Sequence, residues 1–420
     1  MSNINDFKNK NTRFTGTDGI SIPAGTSAQR PTGVAGETRY NTESGSLEFY
    51  DGANWVSTNL IPSIDSISGT IYAGQASTLT LTLTNSTDII DIVFSEGGVE
   101  LAQVTGVSVT TNTANVTTPS NVYGQSAGDT ISISIKNQDG TPSSNAITKT
   151  VAGLPSGGNI TTSGSYRIHT FNSSSTFNVP AGLSTTAEYL IVAGGGGGGA
   201  DNSGGGGAGG MLTGSTSIST NSYSVVVGGG GSGSGPSGGD SGPYATNGAN
   251  SSALGQTAIG GGRGGSAGGA NGSSGGSGGG GAGEAANSQP GNGTAGQGNA
   301  GGSHVNSGGG GGGGAGGTGQ NGNIRFGSSG GNGGAGASSS ISGSSQFYAA
   351  GGGGGNQNGI YNPQSRASGI GGITNANANT RATAGIANTG SGGGGATHTV
   401  NVNPAGADGA SGIVIIRYQL

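Results

Sequence analysis

Glu188-Tyr189-Leu190-Ile191-Val192-Ala193 runs directly into Gly194-Gly195-Gly196-Gly197-Gly198-Gly199, so an apolar, strand-like segment is joined to six consecutive glycines. Further glycine runs follow along the chain, at Gly204–Gly207, Gly228–Gly231, Gly278–Gly281, Gly308–Gly314, Gly351–Gly355 and Gly392–Gly395. Glycine supplies 101 of the 420 residues, far above its usual share of ~7%. The architecture of this region therefore depends on how these runs pack.

Two interpretations of the glycine runs are open. Glycine-rich chains usually form flexible linkers, because glycine loses more backbone entropy on ordering than any other residue. However, residues 151–420 carry only six arginines and five acidic residues, and apolar strands such as Tyr223–Val227 and Ile413–Tyr418 need partners. Polyglycine can form the threefold polyproline-II-type helix, which rises ~3.1 Å per residue and directs its N–H and C=O groups sideways to neighbours. We therefore expect an ordered lattice of polyglycine II helices beside β-strands.

The rest of the chain predicts two smaller β regions. Thr78–Thr84 and Ile131–Ile135 alternate apolar and polar residues with period two, which is typical of half-buried strands and predicts an immunoglobulin-like β-sandwich spacer over residues 61–152. Near the amino terminus, Asp51-Gly52 separates Leu47–Tyr50 from Asn54–Val56, which predicts a β-hairpin module over residues 1–60. The expected fold is all-β with essentially no α-helix, and the glycine-rich domain covers residues 153–420.

Composition argues against several functional classes. The chain has no cysteine, a net charge of −5 and three histidines, His169, His304 and His398, that are isolated from one another in the sequence. We therefore expect no enzymatic activity, no cofactor and no metal. An acidic chain without a basic patch predicts no nucleic-acid partner, and without an apolar run of ~20 residues we expect no membrane insertion.

Two sets of motifs resemble known phage proteins. Gly36–Thr42 and Gly45–Trp55, with the preceding Ile22–Pro31, resemble a module of virion structural and tail-fibre proteins of tailed bacteriophages. The strand and glycine motifs of the last region resemble, in the same order, the glycine-rich domain at the ends of phage tail fibres and in related adhesins: Ser174–Gly182, Glu188–Gly196, Tyr223–Gly229, Ala258–Gly265 and Gly409–Tyr418.

The resemblance implies a virion structural protein, a tail fibre or tail tip adhesin on the virion exterior that is assembled in the host cytoplasm. The amino-terminal region would attach to other virion proteins, and loops of the carboxyl-terminal region would bind a host surface glycan or outer-membrane protein. A homo-oligomer, such as a trimer, is expected. Two alternatives stay open: a purely structural decoration or connector protein of head, neck or baseplate, and a bacterial surface adhesin.

Large side chains between the glycine runs are the candidate receptor contacts. A lattice made of glycine excludes them from its interior, and aromatic rings stack well on sugars. The predicted receptor-binding residues are Tyr244, Phe326, Phe347, Tyr348 and Tyr361. The aromatic residues of the strand-like segments are instead assigned to the core: Tyr166, Phe171, Phe177, Tyr189 and Tyr418.

Overall fold

The computed structural model divides the chain into two compact units, Met1–Val151 and Ala152–Leu420. It describes residues 22–43, 46–57, 61–138, 140–235, 244–283, 288–323, 329–356, 367–374, 382–398 and 405–419. The chain is all-β, with 40% of residues in strands and 3% in helices, so the expected fold class is confirmed. Each unit is described by itself below.

The first unit begins with a small sheet whose four strands follow one another in chain order, β1 (Ala24–Gly25), β2 (Thr38–Asn41), β3 (Ser46–Tyr50) and β4 (Trp55–Ser57). A 3-10 turn at Ser27–Gln29 precedes β2. The predicted hairpin is β3–β4, with Tyr50 opposite Trp55. This sheet buries polar side chains, among them Arg39 and Glu48, and exposes Phe49. Its stability therefore depends on hydrogen bonds and ion pairs such as Arg30–Glu48.

Seven further strands of the first unit form the predicted sandwich. They are β5 (Ser63–Ser68), β6 (Thr78–Thr84), β7 (Ile89–Glu96), β8 (Val99–Thr110), β9 (Thr113–Thr117), β10 (Thr130–Asn137) and β11 (Ile147–Thr150), with a short helix α1 (Ser120–Tyr123). The strand order is β11-β10-β7-β8-β9-β6-β5. The long strand β8 pairs with β7 and, at its end, with β9, so it links the two layers. The threonine-leucine alternation in β6 buries Leu79, Leu81 and Leu83, as its period predicts.

The second unit contains a five-stranded antiparallel sheet in the order β12-β13-β20-β14-β15. Its strands are β12 (Asn159–Ser163), β13 (Tyr166–Phe171), β14 (Ser175–Val192), β15 (Met211–Val225) and the last strand, β20 (Ile413–Gln419). The described part of this unit also contains two small hairpins, β16 (Ser251–Ala253) with β17 (Gln256–Ala258) and β18 (Ala337–Ser339) with β19 (Gln346–Tyr348). A 3-10 turn lies at Ala367–Gly369. The last strand, β20, lies between β13 and β14 and pairs with both. It therefore joins the β12–β13 pair to the β14–β15 pair in one sheet.

The glycine run 194–199 has a threefold hydrogen-bonding pattern. The N–H groups of Gly194 and Gly197 donate to one neighbouring segment, 246–249, at N···O distances of 3.0 and 3.0 Å. In the same way, Gly195 and Gly198 donate to segment 407–410, and Gly196 and Gly199 donate to segment 204–207. Because residues three apart along the run face the same neighbour, this is the pattern of a polyglycine II helix, as expected from the sequence.

The carbonyl groups of the same run complete a hexagonal arrangement. They accept from segments 261–264, 231–234 and 393–396, so six neighbours surround the run. Segments 204–210 and 309–315 are surrounded in a similar way. A Cβ atom on Gly206 would overlap the carbonyl group of Gly196. The lattice therefore has a backbone core, in which glycine is required by close approach.

The lattice and the sheet meet through a small apolar cluster. Ile168, Leu190, Val192, Ile413 and Ile415 project from one face of the sheet and pack with the following residues around the lattice: Ala208, Ile341, Tyr348 and Ala349. The opposite face carries an aromatic group in which His169 lies 4.9 Å from Phe177 and 5.8 Å from Tyr418, measured between ring centroids. Side-chain burial in this unit is thus concentrated at the sheet.

Candidate functional site

The hydrogen-bond register gives the lattice two ends. Strand β14 leads into segment 194–199, and segment 204–210 returns directly into β15. The end of the lattice beside the sheet is therefore called the sheet end, and the end at the turn 200–203 is called the distal end. At the distal turn Asp201 and Asn202 have φ values of 59° and 42°, a left-handed conformation that asparagine and aspartate tolerate better than most residues.

Several other connections also reach the distal end. Segments 231–234, 261–264 and 393–396 run parallel to 194–199, so the chain reaches the distal end at Gly235 and His398. Segment 352–355 runs antiparallel to 309–315, which itself starts at the distal end, so Asn356 also lies there. Tyr244 precedes the returning segment 246–249 and lies at the same end. The distal end therefore collects chain connections from distant parts of the sequence.

The described part of the distal end holds an acid-base pair and an aromatic ring. His398 Nδ1 lies 2.5 Å from Asp201 Oδ1, with side chains 31% and 16% exposed. The amide nitrogen Nδ2 of the neighbouring Asn202 is buried and has no hydrogen-bond partner among the described residues. The Tyr244 ring is exposed, and the Arg263 guanidinium lies 5.4 Å from its centroid, a cation–π distance. This surface offers charge, amide and aromatic groups together.

The structure separates the predicted receptor-binding residues. Tyr244 is exposed at the distal end, whereas Phe347 is exposed at the sheet end, on hairpin β18–β19. Tyr348 is a correction: its side chain is only 5% exposed and packs in the apolar cluster between sheet and lattice, because adjacent residues of a strand face opposite sides. Phe326 and Tyr361 lie outside the described residues. The five residues therefore do not define one surface.

A pocket of about 550 Å³ lies at the sheet end, and the sequence did not predict it. Tyr166 and Tyr189, which were assigned to the core, are only half-buried and line this pocket. Its other lining residues come from β14, β15, β20 and the turn after β18: Thr186, Glu188, Thr213, Gly214, Ser215, Ser339, Ser340, Ile341, Arg417 and Gln419. This pocket is a second candidate site besides the distal end.

The sheet face explains where the pocket is. In β20, Ile413 and Ile415 face the lattice, and the next residues on that face are Arg417 and Gln419. In β14, Glu188 precedes Leu190 on the same face and lies opposite Arg417. The face is thus apolar where the lattice covers it and polar beyond the lattice. The sequence did contain a signal for this site: Glu188 and Arg417 are charged residues at inward-facing strand positions of a domain that has few charges.

The pocket is organised by an ion pair. Arg417 donates from Nε and Nη2 to Glu188 Oε2 at 2.9 and 2.6 Å, and from Nη1 to the Ser340 carbonyl at 3.3 Å. Its guanidinium lies 4.4 Å from the centroid of the Tyr166 ring. Tyr166 Oη is 3.5 Å from Glu188 Oε1. The arginine is therefore held on three sides, while the Glu188 side chain remains 40% exposed.

His169 is a core residue rather than part of either site. Its side chain is fully buried, and Nδ1 lies 2.8 Å from the Gly157 carbonyl oxygen, which makes Nδ1 the protonated nitrogen of a neutral ring. Burial lowers the pKa of His169 to about 4, against the smaller opposing effect of the hydrogen bond to Gly157. The ring is therefore neutral at pH 7.

Among the described residues, no three His, Asp or Glu side chains converge as a metal site would require. The same part of the chain contains no helix with the length and apolar character of a membrane span.

Comparison with known protein families identifies the domain formed by the second unit. A comparison with curated protein sequences finds no match. The family model for the glycine-rich domain matches residues 169–419, a range that contains strands β14, β15 and β20 and the whole lattice. Because this match covers more than half of the sequence, the chain belongs to the glycine-rich domain family.

Proposed function

We propose that the chain is a virion structural protein of a tailed bacteriophage, a tail fibre or tail tip adhesin that binds a host surface receptor with the distal end of its glycine-rich domain. The observation that carries this proposal is the arrangement of the lattice. Its helices place residues that are far apart in the sequence, from the turn 200–203 to His398, at the same end. The phage assignment itself depends on the motif resemblance described above.

The lattice suits a receptor-binding role for a physical reason. Its backbone core is rigid and its hydrogen bonds do not depend on side-chain identity, so the connecting segments can change sequence without altering the core. Binding residues carried by loops on a rigid scaffold are the usual arrangement in recognition proteins. Exposed groups such as Tyr244 and the Asp201–His398 pair supply aromatic and polar contacts at this end.

The proposal also assigns roles to the first unit and to assembly. The small sheet β1–β4 would attach to other virion proteins, and the sandwich would act as a spacer. Several copies on one particle, as in a homo-oligomer, would add avidity to weak individual contacts. No catalytic step, cofactor or nucleic acid is needed for this role.

A first experiment locates the chain on the particle. Antibodies against residues 152–420 would be bound to purified virions and imaged by electron microscopy. Labelling at tail fibre ends or the tail tip is expected. Labelling of the head, neck or baseplate would support the connector alternative, and labelling of uninfected bacterial cells alone would support a bacterial surface adhesin.

A second experiment tests the distal end directly. The purified full-length chain should block adsorption of the phage to its propagation strain, and Tyr244→Ala should weaken that block at least threefold. The matched control is Phe347→Ala, which removes a similarly exposed ring at the opposite end of the lattice. If Phe347→Ala weakens the block and Tyr244→Ala does not, the distal end is not the receptor surface.

A further inference from the structure

We propose that the pocket between β14, β15, β20 and the turn after β18 binds a neutral sugar unit, which is held by Glu188, Arg417 and Tyr166. This site lies at the sheet end and is separate from the distal end. It depends on the proposed function only for the source of the sugar, a glycan on the host surface.

The ion pair in the pocket is not explained by stability. Salt bridges between partly exposed side chains contribute little to stability, and Glu188 and Arg417 are 40% and 20% exposed. Residues 151–420 carry eleven charged side chains in total, so a charged pair on the inward face of a sheet is unusual here. A recognition role accounts for two charges that folding does not require.

The geometry of Arg417 is suited to binding. Contacts with Glu188, the Ser340 carbonyl and the Tyr166 ring hold the guanidinium in place. A side chain that is already immobilised loses little further entropy when a ligand arrives. Arg417 therefore presents its remaining N–H groups in a fixed direction.

Glu188 keeps acceptor capacity for a ligand. Both Arg417 bonds to Glu188 go to Oε2, and among the described residues Oε1 has a single long contact, 3.5 Å from Tyr166 Oη. A carboxylate oxygen accepts up to two hydrogen bonds, so Oε1 can accept from one or two sugar hydroxyls. The surrounding wall supplies further hydroxyl groups from Thr186, Thr213 and Ser215.

An aromatic surface completes the site. Tyr166 lines the pocket on the same face of the sheet as Glu188 and Arg417, and the Arg417 guanidinium lies 4.4 Å from the centroid of its ring. Tyr189 is adjacent to Glu188 in β14, so its ring lies on the opposite face. Aromatic rings combine apolar area with low rotamer cost, which suits contact between Tyr166 and the C–H face of a sugar.

Charge and size select the ligand class. The charges of Glu188 and Arg417 cancel, so the pocket does not favour an anion or a cation. Its volume of about 550 Å³ falls in the range of small-molecule sites, ~300–1,000 Å³. Paired hydrogen-bond donors and acceptors beside an aromatic ring fit a neutral pyranose with vicinal hydroxyls.

The test uses free sugars and the full-length chain. Methyl glycosides of glucose, galactose and mannose would be titrated while protein signals are followed by NMR. At least one is expected to bind with a dissociation constant in the millimolar range, and Glu188→Gln should weaken it at least tenfold. Ser215→Tyr should abolish binding by filling the pocket, whereas the control Ser219→Tyr, four residues further along the same exposed strand, should leave it unchanged.

The outcomes separate this inference from the proposed function. If none of the three glycosides binds at 50 mM (about ten times a ~5 mM constant), or if Ser215→Tyr binds as well as Ser219→Tyr, the inference is overturned. Both substitutions are at exposed positions, and thermal melting would verify that both variants fold. Sugar binding by a chain that does not block phage adsorption would support the pocket and contradict the proposed function.

Discussion

The sandwich of the first unit and the lattice of the second are ordered by different interactions. The sandwich buries side chains such as Leu79, Leu81 and Phe94 between two layers. The lattice buries peptide groups, and segment 194–199 is surrounded by six others through N–H···O bonds. A side-chain core tolerates volume changes at a moderate cost, whereas a backbone core has no room for a single added carbon. The two units should therefore respond differently to the same kind of substitution.

The largest effect is expected from a methyl group in the lattice. In Gly206→Ala the new Cβ would overlap the Gly196 carbonyl, which cannot move without breaking its own hydrogen bond to Gly393. We expect a loss of more than about 4 kcal/mol in the free energy of unfolding of the second unit, measured by hydrogen exchange with mass spectrometry.

Gly229→Ala is the matched control for that substitution. A Cβ at Gly229 would have no atom of the described residues within 4 Å, and the residue is exposed. Amide hydrogen exchange in the second unit should therefore be the same as in the unsubstituted chain. Equal exchange in the two variants would mean that close backbone packing does not stabilise this unit.

A cavity in the sandwich should have a smaller and separate effect. Leu81 is fully buried, and Leu81→Ala should destabilise the first unit by about 2–5 kcal/mol while exchange in the lattice is unchanged. Val99→Ala is the control, since Val99 is 68% exposed and its loss should cost less than about 0.5 kcal/mol. Loss of protection in both units after Leu81→Ala would contradict their independent stability.

Acid should weaken the second unit through His169. The pKa of this buried histidine is about 4 in the folded chain and ~6.5 when unfolded, so its contribution is fully present above pH 6.5. It is lost as the pH falls from 6.5 towards 4, because the unfolded chain binds a proton that the folded chain does not. The loss approaches about 3 kcal/mol once the pH is below 4.

Urea unfolding at pH 7 and pH 4.5 would measure this effect, with His169→Phe as the comparison. The variant lacks the titrating ring and should show a smaller difference between the two pH values, although it also lacks the bond to Gly157. The first unit has no histidine and provides an internal reference. An unchanged pH difference in the variant would assign the acid sensitivity to other groups.

The smallest effect is expected from a hydroxyl at the edge of the lattice. Ser251 Oγ accepts a 2.8 Å hydrogen bond from the buried Gly228 N–H, so Ser251→Ala should cost about 1–3 kcal/mol by leaving that group without its partner. The neighbouring Ser252→Ala is the control, because Ser252 is only partly buried. Calorimetric melting of both variants would compare them, and equal melting temperatures would show that the serine hydroxyl contributes nothing.

Sequence patterns predicted much of this architecture but not the sites. Period-two alternation identified the buried leucines of β6, and the uncharged glycine runs predicted the lattice. The same reasoning assigned Tyr189 to the core and Tyr348 to the surface, because an aromatic residue beside a strand or a loop does not show which side faces the lattice. The pocket was missed since Glu188 and Arg417 are 229 residues apart in the chain.

The composition and the length of the glycine runs determined by themselves that the second unit packs through its backbone, because only glycine allows peptide groups of adjacent helices to approach so closely. Tertiary structure decided which helices are neighbours, for example Gly206 with Gly393, and where the sheet face is left uncovered. Hydrogen bonds between peptide groups are chemically identical in every run. Their pairing is therefore set by the whole fold, by the turns, the sheet and the apolar cluster that align the runs, and not by any local sequence signal.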